Sequence, residues 1–242
     1  MNLSIKTIVF VCIVAAAFTA CKKKSGSPAA CYLVSQVDST SGDTHLYQWN
    51  KGKIVSEQFS NFATTYTYYN GLAVQEVDTS GVLAGRDSFY LNSAGYASRR
   101  LSNGVSTTYE YDGDGHRTKE IYINPGIGVN ATDNYDWSGG NTIKWTHTDR
   151  NSLGTIFNEF YTTFEYYTDR HNWQASTTNI WGKSNANLLK KLTDFGTGEN
   201  VVIEYLYEYD SKNNPTTIIT IQKDSLGNVH KRNRLTNTFQ CN

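Results

Sequence analysis

Thr107-Thr108-Tyr109-Glu110-Tyr111-Asp112-Gly113-Asp114-Gly115-His116-Arg117-Thr118-Lys119-Glu120-Ile121-Tyr122-Ile123 reads as one β-hairpin. Tyr109 and Tyr111 alternate with Glu110, so the two rings share one face of a strand. Asp112-Gly113-Asp114-Gly115 offers residues that accept the positive φ angles of a tight turn. Arg117–Ile123 returns as a strand rich in β-formers.

Degenerate copies of this unit run along the chain. They are Tyr47-Gln48-Trp49-Asn50, Tyr66-Thr67-Tyr68-Tyr69-Asn70-Gly71, Phe89-Tyr90-Leu91-Asn92, Tyr135-Asp136-Trp137-Ser138-Gly139-Gly140, Phe164-Glu165-Tyr166-Tyr167 and Tyr205-Leu206-Tyr207-Glu208-Tyr209-Asp210. The residues before the turns (49, 69, 91, 111, 137, 167, 209) lie 20, 22, 20, 26, 30 and 42 apart. A period near 20 is one hairpin of chain, which predicts seven or eight units and roughly fourteen strands. The last gap leaves room for a further unit around Trp181-Gly182-Lys183-Ser184. The expected fold is all-β: an antiparallel meander of hairpins forming a curved, partly open or barrel-like sheet. In the last hairpin, Val201, Ile203, Tyr205, Tyr207 and Tyr209 fall on one face, and Val202, Glu204, Leu206 and Glu208 on the other. Asn185–Thr193, with Leu188, Leu189 and Leu192, is expected to form one helical turn.

The composition agrees with hairpins: 17 Tyr and 19 Gly against 3 Pro in 242 residues. The formal net charge is zero. Residues 1–20 hold Lys6 and no acid, so the remainder carries 21 basic against 22 acidic residues, a net of −1. That balance argues against a nucleic-acid partner.

Three regions are expected: a signal peptide over 1–20, an anchor and tether over 21–30, and a single β domain over 31–242. Lys6 precedes an apolar run, Ile8–Phe18, of the length of a secretory h-region. It ends in Phe18-Thr19-Ala20-Cys21, which resembles a bacterial lipobox with Phe in place of the usual Leu. The resemblance implies diacylation of Cys21 and cleavage before it. The alternative is an ordinary signal peptide cut near Ala20. Lys22-Lys23-Lys24-Ser25-Gly26-Ser27-Pro28 reads as a polar tether. No acidic residues follow the Cys, so an outer-membrane lipoprotein facing the periplasm is favoured over one on the cell surface. Cys31 and Cys241 bracket the domain. In an oxidising compartment they either form a bridge or stay as two free thiols.

The Tyr-x-Tyr-Asp-x-x-Gly-like units resemble tyrosine-aspartate (Rhs-type) repeats. The whole of 31–242 is similar to a Gram-negative lipoprotein domain with a porin-like fold and no assigned activity. Trp181-Gly182-Lys183-Ser184-Asn185-Ala186-Asn187-Leu188-Leu189-Lys190-Lys191 and Tyr207–Pro215 carry that likeness. The resemblance implies a curved antiparallel meander and brings no catalytic residues.

No catalytic, metal or cofactor motif is found. His45, His116, His147, His171 and His230 sit in no metal-ligand spacing, and each is expected on a strand or at the surface. Asp112-Gly113-Asp114-Gly115 is similar to the start of a calcium loop, but position 12 is Ile123 rather than an acid, and a hairpin turn explains it. A non-enzymatic envelope protein is therefore expected, binding a glycan or an envelope protein as a monomer. The alternative is a hydrolase acting on an envelope or extracellular polysaccharide through a carboxylate pair. A lipid-inserted barrel fits less well, because charges such as Glu204, Glu208, Arg117 and Lys119 occur on both strand faces. The period breaks after Trp137, so a contact surface is expected in 169–187. There Trp173, between Asn172 and Gln174, is the candidate ligand contact, and Trp181 is expected to be packed.

Overall fold

The computed structural model describes residues 31–241 apart from 127, 173–179, 197–199 and 211–213. Sixteen strands follow one another. The first eight are β1 (Cys31–Asp38), β2 (Thr44–Asn50), β3 (Lys53–Phe59), β4 (Phe62–Tyr69), β5 (Leu72–Thr79), β6 (Val82–Leu91), β7 (Ala97–Ser102) and β8 (Val105–Tyr111). Then come β9 (Arg117–Asn124), β10 (Val129–Ser138), β11 (Asn141–Arg150), β12 (Ile156–His171), β13 (Asn187–Phe195), β14 (Val201–Tyr209), β15 (Pro215–Lys223) and β16 (Val229–Cys241). Each pairs antiparallel with its neighbour in sequence, and β1 pairs with β16, so the sheet closes into a barrel. Closure leaves no strand edge unpaired. No helix occurs among the described residues.

The repeated aromatics have a defined job. The anchors 49, 69, 91, 111, 137, 167 and 209 each fall on an even-numbered strand, near the end where that strand turns. At Trp49, Leu91, Tyr111, Trp137 and Tyr209 a register shift comes just before the anchor. In six pairs an aromatic of the even strand donates to a backbone carbonyl of the preceding odd strand. These are Trp49 to Leu33, Tyr68 to Ile54, Tyr111 to Ala97, Trp137 to Arg117, Tyr166 to Thr142 and Tyr207 to Leu189, at 2.7–3.0 Å. A bulge leaves ladder groups unpaired, and a Tyr or Trp tip can satisfy one of them while its ring packs inward. Phe could supply the ring but not the bond.

One turn type recurs. Asn92, Asp112, Asn151 and Asp224 each accept, through Oδ1, the amides two and four residues on. The glycine three residues on has φ near +85° in every case (Gly95, Gly115, Gly154, Gly227). In the turn of the 107–123 hairpin only Gly115 has positive φ, and Gly113 does not.

Two expectations are corrected. Asn185–Thr193 is not a helical turn; most of it is β13. A register shift between the pairs Glu165–Lys191 and Tyr166–Leu189 puts one extra residue into β13. The bulge brings Leu189 and Leu192 into one apolar cluster, so the i, i+3 spacing came from a bulge and not from a helix. The described residues of the gap before β14 likewise hold no further hairpin unit. They hold β13 and a connection ending in Ile180–Ala186, and the strand count rises from roughly fourteen to sixteen because β16 closes on β1.

Candidate functional site in the barrel interior

Register identifies the inner face. Phe89 pairs with Arg100, Arg100 with Thr107, and Thr107 with Tyr122. Further round, Glu120 pairs with Asp133, Asp133 with His147, and His147 with Phe160. Phe89, Thr107, Tyr109, Thr162, Tyr205 and Ile218 on this face are buried, whereas Glu110 and Leu206 on the other are exposed. The outer wall carries cross-strand ion pairs, Lys191–Glu165 at 2.8 Å, Lys223–Glu204 at 2.7 Å and Arg234–Glu208 at 2.9 Å.

The meander gives the barrel two distinct ends. Even-to-odd turns lie at one end, with Cys31 and Cys241; odd-to-even turns lie at the other. At the first end the connection between β12 and β13 lies across its neighbours. The amide of Ala186 donates to Gly140 O, that of Lys183 to Gly115 O, and that of Ala97 to Ile180 O, at 2.6–2.8 Å. These bonds carry the segment from the β10–β11 turn past β8–β9 to β7. Trp181 inserts edge-on against Phe89 and Tyr109, at 5.0 and 5.5 Å between centroids. Trp181 is thus packed, as its sequence context suggested, and it forms an aromatic floor with Phe89, Tyr109 and Tyr111.

Below that floor the wall is charged. The Arg117 guanidinium is 3.2 Å from Glu120 and lies over the Tyr135 ring at 4.7 Å, with Trp181 at 5.9 Å. Arg100 binds Asp87 through Nε at 3.0 Å and through Nη2. His147 sits between two carboxylates, Nδ1 at 2.7 Å from Asp133 and Nε2 at 3.0 Å from Asp149. Trp145 Nε1 also donates to Asp133, and Asn158 to Asp149, both at 2.8 Å. These charged side chains point inward yet keep 12–37% of their exposure. Inward groups that keep exposure border solvent, so this part of the interior is a wetted compartment.

The electrostatics follow from that position. Burial by itself depresses the His147 imidazolium, but the bonds and charges of Asp133 and Asp149 outweigh it and raise its pKa above the ordinary histidine value. Burial raises Glu120 above the usual carboxyl range; Arg117 opposes the shift and the Asp133 charge adds to it. Burial likewise raises Glu57, partly offset by the Tyr66 hydroxyl that donates to it at 3.2 Å. The wall therefore holds two glutamates whose pKa burial raises and a histidine whose pKa its flanking aspartates raise.

The residues singled out in the sequence fall elsewhere. Cys21 and Trp173 lie outside the described residues. Cys31 is disulfide-bonded, and Cys241 stands opposite it in the register of the β1–β16 ladder. Asp112, Asp114 and His116 bring one ligand atom each within 4.8 Å of one another. The turn explains them: Asp112 accepts two amides and His116 Nδ1 lies 3.0 Å from its Oδ2, while the His116 ring stacks on Trp137. His147, Asp133 and Asp149 were missed. Their signal was alternation, Asp133-x-Tyr135-x-Trp137 and Trp145-x-His147-x-Asp149, which sets each trio on one face.

No family model matches this chain, and no curated protein matches it. Among solved structures it is similar to a porin-like protein from Bacteroides uniformis, with a TM-score of 0.61 and 13% identity. The match covers 92% of this chain and 96% of that one. At this identity the likeness is one of fold.

Proposed function

We propose that the protein is a non-enzymatic binding protein of the cell envelope whose ligand enters the barrel interior. The observation that supports this most is the wetted inner wall of Asp87, Arg100, Arg117, Glu120, Asp133 and His147, closed at one end by Ile180–Ala186. Aromatic rings beside paired charges and amides suit a polar ligand with flat faces, such as a glycan. The ion pairs of the outer wall suit water and oppose a bilayer-spanning role, since a charge on a lipid face costs about 2–4 kcal/mol at mid-depth. The fold likeness to a porin-like protein is compatible with an envelope location. In this reading Cys21 carries the acyl chains and 22–30 is the tether, on the periplasmic side of the outer membrane, with the barrel a monomer.

A glycan and envelope-polymer array probed with the chain from Lys22 tests the site. Ligands of the wild type should be lost by Asp133→Asn with the circular dichroism unchanged, and retention of all of them would move the site out of the barrel. Labelled palmitate should enter the wild type and not Cys21→Ser. A second reading, hydrolysis of an envelope polysaccharide, draws on Glu120 opposite Asp133: a carboxyl with a raised pKa beside a carboxylate is the makings of an acid–base pair. Turnover of a polymer by purified protein, lost in Glu120→Gln, would favour it.

A further inference from the structure

Large apolar side chains are exposed around one rim of the barrel, the end opposite Cys31. Leu153 and Leu226 are the most exposed of all, at 88% and 86%, and Val82, Leu83, Phe157 and Val229 stand beside these or at the β5–β6 turn. The turn chemistry does not require them. The same Asx-x-x-Gly turn carries Ala94 and Asp114 at the opposite end but Leu153 and Leu226 here, within Ser152-Leu153-Gly154 and Ser225-Leu226-Gly227. In each case the Asx side chain fixes the amide of the residue at the tip, so the leucines are held outward on rigid turns.

The three apolar tips, at the β5–β6, β11–β12 and β15–β16 turns, are six, four and six strands apart around the closed sheet. Tips spread so widely define a plane and not a groove. Each has an exposed cation at its shoulder: Arg86, which also pairs with Glu76 at 3.5 Å, Arg150, which also donates to Gly154 O, and Lys231 with Arg232. Apolar side chains that penetrate a short way, backed by cations, match the interface of a bilayer with anionic head groups. A docking peptide or helix could not touch all three.

We propose that this rim rests on an anionic lipid surface, inserting Leu153, Leu226 and the Val82–Leu83 turn while the cations meet phosphate head groups. The rim is at the end opposite Cys31, so this contact is separate from any that acyl chains on Cys21 would make; its test does not use the ligand reading above, and where both hold the ligand reaches the interior through the membrane-facing mouth. The test uses the chain from Lys22, which holds all sixteen strands and no acyl group, floated with 3:1 phosphatidylethanolamine–phosphatidylglycerol vesicles. Wild type should float, and Leu153→Asp with Leu226→Asp should lower the bound fraction at least about ten-fold. In a separate variant, Leu226→Trp, emission should shift to the blue on adding vesicles. Wild type that does not float, or a double variant that floats equally, would overturn the proposal. So would a vesicle-independent dimer that the double variant abolishes, because the tips would then hold a second copy.

Discussion

Gly182→Ala should release the segment that floors the barrel while leaving the barrel intact. Gly182 has φ +92°, and an added Cβ would lie 2.7 Å from both Gly115 O and a ring carbon of Tyr111. The left-handed backbone costs a side-chain-bearing residue about 1–2 kcal/mol. The steric overlap adds about 1–3 kcal/mol, the range for overpacking. What holds the segment there is of similar size. The two bonds nearest to Gly182, Lys183 to Gly115 O and Ala97 to Ile180 O, contribute about 1 kcal/mol net each. The two edge-on contacts of Trp181 contribute about 0.5–1.5 kcal/mol each. A strain of roughly 2–5 kcal/mol is comparable with these local contacts, so Ile180–Lys183 should undock while the bond from Ala186 to Gly140 O keeps the end of the segment in place. Hydrogen exchange is the assay: the amides of Lys183 and Ala97 should lose protection, while those of β14 and β15 keep theirs. Trp181 emission should shift to the red. Wild-type exchange at both amides, with unchanged emission, would refute the reasoning.

Three further outcomes are expected. His147→Gln should cost more stability at low pH than at high pH: a histidine whose folded pKa is raised stabilises fully below its unfolded value of 6.5 and loses that contribution as pH rises through the folded value, so the gap in Tm between wild type and variant should shrink between pH 5.5 and 9. Tyr207→Phe keeps the ring but deprives the Leu189 carbonyl of its donor, which should cost about 1 kcal/mol in urea unfolding, where a surface tyrosine such as Tyr69 should cost nothing measurable. Mass spectrometry of unreduced peptides should find Cys31 joined to Cys241, and replacing both by Ser should destabilise the fold by up to about 5 kcal/mol, because the closed loop is nearly the whole domain.

The repeat unit was legible because an aromatic on six of the even strands does the same job, capping a carbonyl of the strand before it. Trp49, Tyr69, Leu91, Tyr111, Trp137, Tyr167 and Tyr209 mark seven of the eight even strands, and the period gave the hairpin length. The eighth, β16, ends in Thr238-Phe239-Gln240-Cys241, which lacks the aromatic pair and turn residues of the signature, so the count fell short. The bulge in β13 shifts alternation by one residue, which produced a helix-like spacing of leucines. The site was harder to read. Asp133, His147 and Asp149 come from two neighbouring strands whose register a sequence does not print, and alternation cannot say which face is interior once both faces carry charges and rings. Closure decides it, and closure depends on β1 meeting β16 across the length of the chain.

That the barrel encloses a wetted compartment is the claim on which the ligand reading depends, and thiol accessibility tests it most directly. In the chain from Lys22, one cysteine is placed at the inner position Asp133 and, in a second variant, one at the outer position Glu165, whose ladder neighbour is Lys191. Each is reacted with a small charged methanethiosulfonate and with a 5 kDa (about) polyethylene-glycol maleimide, a probe far wider than a side-chain-lined lumen. Asp133→Cys should react with the small reagent and not the large one, and Glu165→Cys with both. Labelling of Asp133→Cys by both reagents would mean an open sheet, labelling by neither a packed core, and either result would contradict the account.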